Sequence, residues 1–277
     1  ESSANLFDSM QRNSNAMMAL ALIQNKDNST FVHSVNVATY LIAFAKVMGF
    51  DEQTTINLGM GGMLHDVGMA SISSNNNHRY ILPSEKKSVR KDHVKLSHKI
   101  LKEIPNLPEE VLIIANQHHA RLDGTGYPKS LSGDNIHLFG KMAAIVDEFE
   151  RLCSDQPDNK QLSPAAALKK LLGKENKAFD PDLVQKFIKA VGIHPIGTTV
   201  ELKNGSIAVV AENDSEALLQ PVINIVYDKK GKKQEIIQQV DLKTEKKGSS
   251  LHIKRAIKVK HRSFDPMEAL LALRKQQ

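Results

Sequence analysis

The feature that most restricts this 277-residue chain is a pair of adjacent histidines, His118 and His119, closing an apolar stretch that carries Val111, Ile114 and Ala115. Apolar residues at three- and four-residue spacing predict a helix, and Pro108 suits its first turn. Two consecutive imidazoles facing a core are costly unless something binds them. The residues that follow, Ala120 to Pro128, contain Gly124 and Gly126, which permit positive φ or close backbone approach, and Tyr127-Pro128, which stiffens the exit. By itself this segment reads equally well as a capped helix followed by a turn.

A second pair, His65-Asp66, follows Gly61-Gly62-Met63-Leu64 and precedes Val67-Gly68, at an expected helix end. Adjacent helical residues diverge by about 100°, so the pair does not chelate from one face. Asp66 could instead bridge two ions while His65 ligates one. The chain has 11 histidines but a single cysteine, Cys153, so metal chemistry here must use imidazoles and carboxylates. One cysteine also excludes an internal disulfide framework and fits a reducing, cytoplasmic compartment.

From Ser2 to about Ile193 the pattern is mostly helical, as in Val35, Ala38, Ile42, Ala45 and Met48. Asp51 is expected to cap a helix running toward Leu64, with Gly68 as a stop. Phe139 to Leu152 reads as an amphipathic helix, and Asp180-Pro181 as the cap and first turn of a helix ending near Val191. Ser73 to Pro83, with its asparagine run, reads as a polar loop. After His194-Pro195 the character changes. Thr198 to Leu202, Ile207 to Ala211, Val222 to Tyr227 and Glu235 to Val240 are β-rich runs, separated by turn signals at Asn204-Gly205, Asn213-Asp214 and Lys230-Gly231. Asp265-Pro266 starts a last short helix. The expected division is a helical domain over residues 1–195 and a small antiparallel β appendage with a terminal helix over 196–277.

The net charge of +6 belongs to the tail: from Ile196 onward there are 15 Lys/Arg against 10 Asp/Glu. The lysine pairs Lys229/Lys230, Lys232/Lys233 and Lys246/Lys247 read as a solvated surface rather than a DNA or RNA interface, which would interleave aromatic residues. The longest apolar stretch, Ala16 to Ile23, is far shorter than the roughly 18 residues a membrane span needs.

The run HHARLDGTGYP from His118 to Pro128, with His65-Asp66-Val67-Gly68, resembles the HD-GYP family, a branch of the HD-domain phosphohydrolases. The resemblance covers roughly Thr30 to Val191. It implies an all-helical bundle that hydrolyses the bacterial messenger cyclic di-GMP to pGpG or GMP. It also implies two divalent metal ions, iron or manganese ahead of zinc. Carried over residue by residue, it puts His33, His65, Asp66 and Asp147 on one ion and Asp66, His93, His118 and His119 on the other. Asp66 is then the bridge, and Asp66 with His65 forms the catalytic pair. Arg121, Gly126, Tyr127 and Pro128 are implied to face substrate, with a surface ion pair as the other reading of Arg121. Glu148 and Glu150 are expected to face solvent.

The chain departs from the family in three places. Met69 stands where many members carry a lysine near substrate phosphate, Gln156-Pro157-Asp158-Asn159 replaces an Arg-Pro-Tyr-Arg segment, and Ser29 replaces the glutamate that holds a third ion in some members. Two ions are therefore expected. The rival function is a metal-holding module that senses a nucleotide, or docks a protein partner through the Gly-Tyr-Pro loop, without efficient turnover.

Overall fold

The computed structural model describes residues 29–69, 83–154, 161–174, 177–214 and 216–257. Among these the chain is mainly α-helical, with seven helices followed by a five-stranded antiparallel sheet. No helix among the described residues is long and apolar enough to cross a membrane. The asparagine loop and the terminal helix expected from Asp265-Pro266 lie outside the described residues.

Helix α1 (Ser29–Met48) is the centre of the bundle; α2 (Glu52–Leu64), α5 (Leu138–Cys153) and α7 (Pro181–Val191) pack around it, and α6 (Pro164–Leu172) packs against α5. Its run from Asn36 to Ala45 is buried on every side and, but for Asn36 and Thr39, apolar all round rather than striped. Tyr40 and Phe44 of α1 meet Phe149 of α5 and Phe187 of α7. Tyr40 stands edge-on to Phe149 at 5.3 Å between ring centroids, and Phe44 reaches Phe187 at 5.4 Å. This aromatic contact ties three helices into one core, each ring burying on the order of 150–250 Å².

Capping chemistry explains where the helices begin. Asp51 accepts from the Thr54 N–H at 2.8 Å ahead of α2, and Asp180 accepts from Asp182 and Leu183 N–H at 3.0 and 3.1 Å ahead of α7, with Pro181 in the first turn. Each cap satisfies helix donors that have no intrahelical partner. Pro108 sits one position earlier than expected, as the N-cap of α4 (Glu109–Gln117). Gly68 does not terminate α2, which already ends at Leu64. Its role is proximity: a Cβ there would meet the His93 carbonyl at 2.4 Å and the Ser97 nitrogen at 2.6 Å, so only glycine lets this segment lie against α3 (Pro83–Lys102).

The sheet runs β4-β3-β2-β1-β5, with β1 (Thr199–Leu202), β2 (Ile207–Glu212), β3 (Val222–Tyr227), β4 (Lys233–Asp241) and β5 (Ile253–Ala256). Alternation sends Ala208 and Val210 to one face with Ile223, Ile225 and Val240, and Val209 to the other with Val226. Strand β5 had no sequence signal, because Ile-Lys-Arg-Ala is half charged. Lys254 and Arg255 are held by Glu201 of β1, at 2.7 and 2.6 Å, and backbone pairing to β1 completes the edge. The lysines at 229, 230, 232, 233, 246 and 247 are all exposed.

Candidate metal centre

The expected ligands come from five places in the bundle and converge. His33 lies on α1, His65 closes α2, and Asp66 follows it in the turn. His93 lies on α3, His118 closes α4 with His119 beside it, and Asp147 lies on α5. Two groups of donor atoms lie within 4.8 Å of one another: Asp66, His93, His118 and His119, and separately His33, His65 and Asp66. Asp66 belongs to both. Its Oδ1 is 3.0 Å from His93 Nε2 and 3.4 Å from His118 Nε2, while its Oδ2 is 3.6 Å from His65 Nε2 and 3.8 Å from His33 Nε2. Asp147 spans the groups from the other side, with Oδ1 3.3 Å from His33 Nε2 and Oδ2 3.4 Å from His119 Nδ1.

The outer partners of the imidazoles decide which nitrogens face inward with a lone pair. His65 Nδ1 is 2.8 Å from the Gly62 carbonyl, and His118 Nδ1 is 3.1 Å from the carbonyls of Ile114 and Ala115. Carbonyls only accept, so both Nδ1 atoms donate, which turns both Nε2 atoms into the centre. His33 Nδ1 is engaged by the Glu150 carboxylate in the same way. The consequence is two Nε2 pairs, His33 with His65 and His93 with His118, each 3.2 Å apart. Ring nitrogens so opposed need a cation or a proton between them.

The residues fit a metal on this ground and on a second one. Asp66 Oδ1 and Asp147 Oδ2 are buried acceptors with no hydrogen-bond partner among the described residues, a costly state that a cation would relieve. Charge regulation agrees. Burial pushes His65 down to about 4 and, with His118 beside it, His119 well below the usual imidazole range. For Asp66 burial works upward, but His65, His118 and His93 outweigh it and hold the carboxyl well below its usual range. Asp147 is held low likewise, against burial, by His119 and His33. Burial would lower His33, yet the Glu150 and Asp147 carboxylates hold it well above 6.5. The set thus contains ionised carboxylates and, at His65 and His119, imidazoles that resist protonation, which suits a divalent cation. Asp66 and His33 keep 16% and 12% of their side-chain surface, while the other candidate ligands keep 6% or less, so the centre meets solvent on their side.

Glu150 corrects an expectation. It does not face solvent: it is buried, engages His33 Nδ1, and accepts from Asn36 at 3.0 Å and Ser154 at 2.6 Å. This is the carboxylate–histidine arrangement that orients a ligand imidazole. Its three-residue spacing from Asp147, on one helix face, was the available signal. Glu148 is not free in solvent either, since it accepts from Arg121 at 3.4 Å and Lys174 at 2.5 Å.

The Gly-Tyr-Pro loop is built around His119. Gly126 is buried, and a Cβ there would lie 2.3 Å from the His119 carbonyl. Tyr127 donates its N–H to that carbonyl at 3.0 Å and lays its ring 4.6 Å from the His119 ring. The Tyr127-Pro128 peptide is cis. Arg121 has its donors turned inward, to the carbonyls of His118 and Ala120 at 3.2 and 2.9 Å and to Glu148, with its guanidinium over Phe179. Asp123 is a turn residue, accepting from the Thr125 N–H and hydroxyl.

Residues 16–183 match the HD domain family, and residues 199–264 match a family described as a KOW domain associated with HD domain. The cyclic di-GMP phosphodiesterase PA4108 of Pseudomonas aeruginosa is 31% identical over 236 residues, which is 84% of this chain and 56% of that protein. The cyclic di-GMP phosphodiesterase PdeB of Borreliella burgdorferi is 29% identical over 206 residues, 74% of this chain and 54% of that protein. The chain therefore spans about half the length of these relatives. Among solved structures, Bd1817, an HDG"Y"P protein from Bdellovibrio bacteriovorus, shares the fold with a TM-score of 0.56 at 24% identity, over 67% of this chain and 60% of that one. With the helical bundle, the His-Asp pair and the Gly-Tyr-Pro loop in place, the chain belongs to the HD-domain family, in its HD-GYP branch.

Proposed function

We propose that this chain is a metal-dependent phosphodiesterase that hydrolyses cyclic di-GMP, to pGpG or on to GMP, at a dinuclear centre. The observation that carries the reading is Asp66, a carboxylate shared by two groups of convergent donors. His33, His65, Asp66 and Asp147 would hold one divalent ion and Asp66, His93, His118 and His119 the other. Iron or manganese suits mixed imidazole and carboxylate ligation, and zinc is compatible with it. When bound, such ions supply Lewis acidity and a hydroxide nucleophile at neutral pH. The protein's own part is to hold the donors rigid through carbonyls and Glu150, and to keep water out except on the Asp66 and His33 side. The activity and substrate of two relatives that cover most of this chain support the choice of reaction and messenger.

The test is metal content per chain after anaerobic purification, beside an assay for cleavage of cyclic di-GMP and other cyclic dinucleotides. About two ions with turnover is the expected result, and absence of bound metal would overturn the reading. Met69, which offers no charge to a phosphate, favours a second reading: a metal-holding module that binds a nucleotide or a protein partner without turnover. Two ions with nucleotide binding and no product would establish that one instead.

A further inference from the structure

A phosphodiester approaching this centre is an anion, and the cations around it are unequally available. Met69 has none to give, and the donors of Arg121 are spent on carbonyls and Glu148. Lys91 is exposed, with its ammonium 5.8 Å above the Tyr127 ring. Arg151 differs from all of these. It lies on α5 four residues after Asp147, one turn further along the same helix face. Asp147 in turn reaches His33 and His119 inside the centre.

Arg151 is half-buried, yet among the described residues no carboxylate lies within 4.0 Å of it. Its charge is felt by Asp147 first, then by Tyr127, Glu148 and Asp66, so the guanidinium stands within electrostatic reach of both ligand carboxylates and the Gly-Tyr-Pro tyrosine. A partly desolvated guanidinium without a direct anionic partner is poised for an anion that arrives with a ligand. Its planar fork matches two phosphate oxygens better than an ammonium does.

We propose that Arg151 binds the non-bridging oxygens of the scissile phosphodiester. The proposal rests on the phosphodiesterase reading above. In the hydrolysis, the water oxygen forms the new bond to phosphorus, the bond to the ester oxygen breaks, and the water proton ends on the leaving alkoxide. Arg151 keeps hold of the same phosphate throughout and stabilises the charge that accumulates on it.

The test compares Arg151→Gln and Arg151→Lys with the metal-loaded wild type, reading kcat and KM on cyclic di-GMP together with metal content. R151Q is expected to lose about 10–100-fold in kcat/KM, the worth of a charge-assisted hydrogen bond, with metal content unchanged, and R151K to recover part of the loss. Unchanged kcat/KM in R151Q, or a loss matched by lost metal, overturns the proposal. If R151Q does not fold, R151K is read alone: a KM raised about 3–10-fold supports a fork-shaped contact, and an unchanged KM overturns it. If the wild type itself shows no turnover, the phosphodiesterase reading has failed. Equilibrium binding of cyclic di-GMP then decides for Arg151: at least tenfold weaker binding to R151Q supports the phosphate contact, while equal affinity, or no binding by either protein, overturns it.

Discussion

The two halves of this chain bury opposite things. The sheet buries Val200, Leu202, Val210 and Ile223, aliphatic side chains that complete one another by packing alone. The helical bundle has an equally apolar core around Tyr40, Phe44, Phe149 and Phe187, but next to it lie His65, His93, His118, His119, Asp147 and Glu150, all buried. An apolar interior needs nothing from outside. A polar interior whose ring nitrogens face each other, and whose Asp66 and Asp147 oxygens lack hydrogen-bond partners among the described residues, would be completed by a cation, so on the proposed reading one half carries its stability in its own side chains and the other shares it with a ligand.

The sharpest way to break that contrast is Asp66→Ala. Removing the shared carboxylate is expected to abolish metal binding, read as metal per chain, and normal content would sink the bridging assignment. Chelation of the wild type should come next in effect. Hydrogen exchange is expected to speed up at the ends of α2 and α4, where His65 and His118 lie, while the amides of β2 and β3 stay protected. Equal loosening of the sheet would show that the two halves are not separable in this way.

The reciprocal variant is Ile223→Ala, which opens the aliphatic sheet core. A cost of about 3 kcal/mol is expected in denaturant unfolding, with metal content untouched. Glu150→Gln probes the boundary between the two kinds of interior, because it removes the charge that orients His33 but keeps the volume. Metal affinity, measured by competition with a chelator, should weaken about 10–100-fold, and wild-type affinity would demote Glu150 to packing. The smallest effect is expected from Met69→Lys. If Arg151 already holds the phosphate, a second cation should raise kcat/KM by less than about tenfold, or 1.4 kcal/mol. A larger gain would show that the missing lysine limits the reaction.

Elements were legible where local chemistry sets them. Asp51 and Asp180 announce helix starts because a carboxylate satisfies the first free N–H groups wherever the rest of the chain lies. Asn204-Gly205 and Lys230-Gly231 announce hairpins because Gly205 and Gly231 take up positive φ. Strand β5 was illegible for the converse reason. Lys254 and Arg255 become strand residues only because Glu201 and the edge of β1 are waiting for them. Glu150 was misread as solvent-facing because carboxylates are rarely buried without a partner, and its partners, His33, Asn36 and Ser154, include two on a helix more than a hundred residues away.

By itself the sequence determined the helical and β-rich halves, the caps and turns, and the His-Asp and Gly-Tyr-Pro motifs from which the ligands are proposed, since each depends on residues a few positions apart. Only the tertiary structure decided which atoms converge. It placed Asp66 between two donor groups, turned Arg121 inward, left Arg151 without a direct carboxylate partner among the described residues, and made glycine obligatory at Gly68 and Gly126. Those outcomes depend on how closely distant backbones approach and on which charges share the same desolvated space, and neither is encoded at any single position.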